Sequence, residues 1–239
     1  RVRAFVRAFN RGLLYSDPSR GPISDYGLPV GAAAGFGLEY YPAAHVANDA
    51  LAHIGIQAEF HHSLLVESSG PMDIMYPTTE LAWHVGLRYR ARLDDSGSQL
   101  APELGAGHQR FRVERGGLDN ASPAGVPFVD YSYLRAGVAF RANVGDFVLG
   151  GHVAYLPSFD LGAIGQELGG GFGHGVSASA VFLYPIDLGF SFIAELDARV
   201  FILDFDTSTT SRSAAGGATD HYIGLNVGIK WDMPSAARL

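Results

Sequence analysis

Ten segments of this 239-residue chain alternate apolar and polar side chains at period two, and the composition of the polar face narrows the fold. From Val30 to Tyr41 one face reads Val30, Ala32, Ala34, Phe36, Leu38, Tyr40. The other reads Gly31, Ala33, Gly35, Gly37, Glu39, Tyr41. Successive strand residues point to opposite faces, so this is a strand with one greasy side and one small-or-polar side. A solvated sheet face carries Lys, Glu and Thr rather than glycine. Small residues mixed with a few charges suit the crowded interior of a narrow closed barrel whose greasy side meets lipid. The pattern therefore predicts a transmembrane β-barrel.

Composition agrees. Charged residues make up 17% and mean hydropathy is +0.10, yet no apolar run approaches the ~18 residues a membrane helix requires. Only every second residue of a barrel strand touches lipid, which accounts for both facts. A net charge of −7 argues against a nucleic-acid partner. With no cysteine there is no disulfide, metal–thiolate site or Cys nucleophile, and nothing in the sequence calls for a cofactor or a metal. Opening on strand-like Arg1-Val2-Arg3, the chain reads as mature or trimmed, and residues 1–239 read as a single barrel domain.

The strands are expected at 2–11, 29–41, 53–65, 79–92, 100–112, 128–141, 146–156, 173–184, 188–204 and 220–233, with the fifth bulged near His108. Long and short connections alternate, as in an up-and-down barrel with long outer loops and short periplasmic turns. The turns at Asp94-Asp95-Ser96-Gly97, Ala142-Asn143-Val144-Gly145 and Tyr184-Pro185-Ile186-Asp187 carry turn chemistry. Ten strands put both termini at the periplasmic end. Near that end the outward positions include Tyr40, Tyr89, Phe140, Phe147, Tyr184, Phe190 and Trp231, an aromatic girdle, with Phe60, Trp83, Phe128 and Tyr155 available for the opposite one. A soluble lipocalin-type barrel also alternates, but an outward girdle would have no purpose there.

The last strand, Asn226-Val227-Gly228-Ile229-Lys230-Trp231-Asp232-Met233, resembles the C-terminal assembly signal of bacterial outer-membrane barrels. Asn226, Gly228, Trp231 and Met233 match its polar, glycine, aromatic and final apolar positions; Met233 replaces the usual aromatic, and a six-residue tail follows. The whole chain is similar to small outer-membrane barrels, which implies an outer-membrane location and lipid as a partner.

The inward positions predict the lumen: Arg7, Glu39, Glu59, His61, Glu80, His84, Arg88, Arg90, Arg135, Glu195, Asp197 and Arg199, with Arg1, Arg3, Arg92, Glu103, Arg141, Lys230 and Asp232 beside them. In so narrow an interior these groups are expected to pair into a plug of salt bridges, giving a structural or interaction role in which loops or periplasmic rim hold an envelope partner. The alternative is a narrow, slightly anion-selective solute channel. A third reading places an enzyme at the outer rim, where His61, His84 and Glu80 would approach Asp204, Asp206, Asp220 and His221. The ten-stranded omptin surface proteases use Asp and His at that rim. This chain departs from them: paired aspartates are missing from the second outer loop, and most strands look too short to project far beyond a membrane.

Overall fold

The structure, a computed structural model, describes residues 1–18, 23–46, 49–70, 73–114, 128–206 and 215–232. Ten long antiparallel strands form the wall: β1 (Val2–Ser16), β2 (Tyr26–Tyr40), β3 (Ile54–Ser63), β5 (Met75–Tyr89), β7 (Gln99–Val113), β8 (Val129–Val144), β9 (Phe147–Asp160), β10 (Gly171–Pro185), β11 (Phe190–Phe205) and β12 (Gly217–Trp231). Two short strands continue their neighbours, β4 (Val66–Ser69) after β3 and β6 (Ala91–Arg92) after β5. Each long strand pairs with its sequence neighbours, β12 pairs β1, and the β5–β7 ladder completes the circuit, so the sheet is a closed up-and-down barrel. Among the described residues no helix is long and apolar enough to cross a membrane.

The wall explains the glycine face of β2. Arg3, Phe5 and Phe9 of β1 point inward opposite Gly37, Gly35 and Gly31. A Cβ on Gly31 would fall 2.5 Å from the Phe9 ring, one on Gly35 2.5 Å from the Phe5 ring, and one on Gly37 2.6 Å from Arg3 Nε. Bulky side chains of one strand thus occupy the space left by the next.

Most of the strands run longer than the sequence pattern marks, chiefly at the end away from the termini, where β1 gains residues to Ser16 and β5 begins at Met75. Fifteen residues at about 3.3 Å each, tilted by roughly 40°, stand ~38 Å tall against an apolar band of ~25 Å. The expectation of strands too short to project is therefore corrected. On β7 and β8 the alternation also inverts between the two ends of the wall. Through the lower wall apolar residues point out: Leu104, Val138, Phe140, Leu149, Leu196 and Leu225 are all exposed. On the upper part of β7 and β8 they point in, while Leu14, Phe159, Phe172 and Ile202 stay exposed on the upper outer wall of β1, β9, β10 and β11. Phe111, Val113, Val129, Tyr131 and Tyr133 are buried, while Arg110, Arg112, Asp130 and Ser132 take the outward positions.

Two further corrections concern register. β7 pairs without interruption from Gln99 to Val113, so there is no bulge at His108; shifts occur instead between Phe9 and Arg11 on β1 and between Ser132 and Tyr133 on β8. The β2–β3 ladder ends at Ala33–Ser63, where Leu65 takes φ +51° and turns fully outward. β4 then pairs only with β5 among the described residues. Side chains stitch that gap from within, through Tyr26 Oη to Ser68 Oγ and Ser68 Oγ to Thr78 Oγ1, both 2.6 Å.

Candidate functional site

Two layers fill the lumen. The outer one is apolar. Leu13, Phe111, Val129, Tyr131, Leu156 and Phe201 have no exposed surface, and Leu161, Ile164 and Leu168, around a short helix at Ala163–Glu167, pack down onto them from the β9–β10 connection. One ion pair in this layer is fully enclosed. Arg11 Nε and Nη2 donate to Asp220 Oδ1 and Oδ2 at 2.9 and 2.8 Å, Tyr131 Oη donates to Oδ2 at 2.9 Å, and the guanidinium lies 4.1 Å over the Phe111 ring. The expectation of a salt-bridge plug is corrected for this half: hydrocarbon and aromatic packing fills it, because the inward positions of the upper strands, Leu13, Tyr131 and Phe201 among them, are apolar.

Below lies the polar layer. Arg135 and Arg88 converge on Glu103, at 2.8 and 2.9 Å, with Gln57 donating to the same carboxylate at 2.8 Å. Arg3 bridges Glu59 and Glu195, the latter at 2.7 Å, and Arg7 pairs with Asp197. Asn226 sits inside this network, accepting from Arg7 at 3.2 Å and donating to Asp197 at 3.2 Å. At the top of the layer, Gln109 donates to Glu80 Oε1 at 2.8 Å, while His61 Nε2 meets the same oxygen at 2.9 Å. Arg199 donates to Gln109, His152 bonds Ser179 Oγ at 2.8 Å, and His84 stands among Arg135, Arg199, Arg3 and His152.

At the terminal end the network opens into a vestibule, a cavity of about 210 Å³. Its rim holds Arg1, bonded to Glu39 at 3.2 Å and to Asp232 at 3.1 Å, and Lys230, bonded to Asp232 at 2.8 Å. Tyr41, in the connection after β2, donates to Glu39 at 2.6 Å and lies 3.9 Å under Arg90. Burial, then the neighbouring Glu39 charge, raises the Tyr41 hydroxyl above its ordinary pKa. Arg92, expected in the lumen, is exposed where β6 ends.

Outside, Tyr40, Tyr89, Phe140, Tyr184 and Phe190 are exposed near the terminal end, and Phe147 and Trp231 are half-buried beside them, Trp231 stacked on Phe190. Gly228 faces inward against β1, whereas Met233 lies outside the described residues. The residues of the rim-enzyme reading do not assemble. Asp220 points inward to Arg11, His221 points outward over Gly12, and His61 and Glu80 are buried well below the loops. No metal-binding group of three or more His or carboxylate side chains occurs among the described residues. Gln109, His152, Ser177 and Ser179 were not singled out from sequence; inward parity alone would have found them.

The wall defines the class: a ten-stranded, antiparallel β-barrel of the outer-membrane type. No protein-family model and no curated protein matches the chain. Among solved structures it is similar to an outer-membrane channel from Pseudomonas putida F1, at 12% identity and TM-score 0.37, covering 95% of this chain and 96% of that one. A Pseudomonas aeruginosa FadL homologue matches at 8% identity and TM-score 0.34, over 98% and 90% of the two chains. Ail, the attachment invasion locus protein of Yersinia pestis, matches at 9% and 0.27, over 95% and 98%.

Proposed function

We propose that the chain resides in a bacterial outer membrane as a closed, non-conducting barrel that acts through its inner end, presenting the vestibule and charged rim to an envelope partner. The carrying observation is the apolar layer across the upper lumen, where Leu13, Phe111, Val129, Tyr131, Leu156 and Phe201 are fully buried within one cluster. The lower outer wall supports the location: a continuous apolar belt of this extent is stable against lipid and aggregates in water. One feature favours solute passage as the second reading, namely a polar vestibule leading up to the plug; passage would require the apolar layer to move aside.

Single-channel recording of the refolded barrel in a planar bilayer tests this. The unaltered barrel is expected to be silent. A Tyr131→Ala, Phe201→Ala double variant, which removes two stacked rings 4.4 Å apart from the plug, is expected to give openings. Steady conductance by the unaltered barrel would overturn the closed reading and put the channel first.

A further inference from the structure

We infer that the vestibule is a binding site for a small carboxylate with an apolar body, the charge held by Arg141 and the body resting on Val148, Val181, Leu183 and Ile193. All five side chains line the same cavity. Arg1, Arg3, Arg7, Arg88, Arg135 and Lys230 of that cavity each pair with a carboxylate, and Arg199 donates to Gln109. Arg141 makes neither kind of contact: among the described residues no carboxylate lies within ion-pair distance of it, although it is half-buried and feels the Asp232 and Glu39 charges across the cavity. A guanidinium in that position gains most from an anion, and its planar fork matches a carboxylate.

The wall beside it has the opposite character. Arg141 is register-paired with Gly150, which is paired in turn with Val181, so only a glycine separates the cation from the aliphatic side chain two strands away. The next row holds Val148, Leu183 and Ile193, a buried apolar cluster facing a lumen that is otherwise charged at this depth. A cation on one side and four aliphatic side chains on the other fit an amphiphilic monoanion. A phosphate-like dianion fits less well, since Glu39 and Asp232 stand at the same rim. Size agrees: a cavity of ~150 Å³ accepts benzene, and this one offers about 210 Å³, room for a ring or short chain bearing a carboxylate.

The inference deepens the closed-barrel reading, since it gives the dead-end vestibule a ligand class. Benzoate is the probe. Titration calorimetry of the full refolded barrel in detergent micelles, with empty micelles and neutral benzyl alcohol as references, should show saturable one-to-one binding of benzoate alone. Arg141→Gln should weaken it roughly tenfold or more, and Arg141→Lys, which keeps the charge, by less. Absence of saturable binding to folded barrel, or binding unchanged in Arg141→Gln, would overturn the inference. Conductance of the same preparation separates the two proposals: a silent barrel that ignores benzoate sinks this one alone, and a conducting barrel that binds benzoate sinks only the closed reading.

Discussion

The enclosed Arg11–Asp220 pair offers a quantitative test of the plug. Both side chains have 0% exposure, the carboxylate takes two guanidinium bonds and one from Tyr131, and Tyr222 Oη lies 3.3 Å away. Asp220→Ala leaves a guanidinium without its counter-charge in an aromatic cage, a change that costs about 3–5 kcal/mol. At about 1.4 kcal/mol per decade, the unfolding constant should rise by two to nearly four orders of magnitude. Removing both charges, as Arg11→Met with Asp220→Leu, eliminates the orphaned ion but strands the Tyr131 and Tyr222 hydroxyls, so the double variant should lose only about 1–3 kcal/mol. The assay is equilibrium urea unfolding of barrel refolded into lipid vesicles, followed by emission of the two tryptophans, Trp83 and Trp231. A single variant losing less than about 1 kcal/mol, or a double variant no more stable than the single one, would refute the reasoning.

Three shorter predictions accompany it. Gly31→Ala forces a methyl group into the Phe9 ring and should destabilise the folded barrel by about 1–3 kcal/mol in the same urea assay; a neutral result would mean that β1 and β2 are not packed as described. Asp94, in the exposed turn before β7, accepts from Ser96 Oγ at 2.6 Å and from the Ser98 amide at 2.9 Å, which holds its pKa down at about 2. A depressed carboxylate pKa stabilises the turn above the unfolded value of 3.8, and that contribution disappears as pH falls through about 2. An NMR titration of the Asp94 carboxyl giving a midpoint at or above 3.8 would contradict the capped turn. Asn226→Ala removes a carboxamide bonded to Arg7 and Asp197 and should cost roughly 1–3 kcal/mol, whereas a role confined to assembly would slow insertion and leave equilibrium stability untouched.

The barrel was legible from sequence because each lower strand obeys one rule, greasy outside and small or charged inside, as Gly31 to Glu39 and Glu195 to Arg199 do. The same rule concealed the plug. At Val129-Asp130-Tyr131-Ser132-Tyr133 the period is intact but its phase is reversed, and periodicity carries no label for which face is outside. Parity placed Arg7, Glu59 and Asp197 on the inner face, but their partners depended on barrel shear: Arg7 meets Asp197 two strands away through β12, with Asn226 between. Asp220 and His221 illustrate the limit of proximity in sequence, since adjacent strand residues face opposite ways.

On β7 and β8 the phase reversal also bears on how deep the barrel can sit in a membrane. Arg110 and Arg112 lie two and four residues above His108, which pairs with Trp83 on the outer wall, so they stand roughly 5 and 10 Å higher along a strand tilted by about 40°. Sinking the barrel would carry those guanidinium groups and Asp130 into hydrocarbon, at about 2–4 kcal/mol for each arginine that reached mid-bilayer. Raising it would lift Tyr40, Tyr89 and Trp231 off the opposite interface and bring the rim of Arg1, Glu39 and Lys230 toward the acyl chains. On the β7–β8 side these groups and the aromatic girdle oppose displacement in either direction, whereas on β9 to β11 the exposed Phe159, Phe172 and Ile202 keep the outer wall apolar to its upper end.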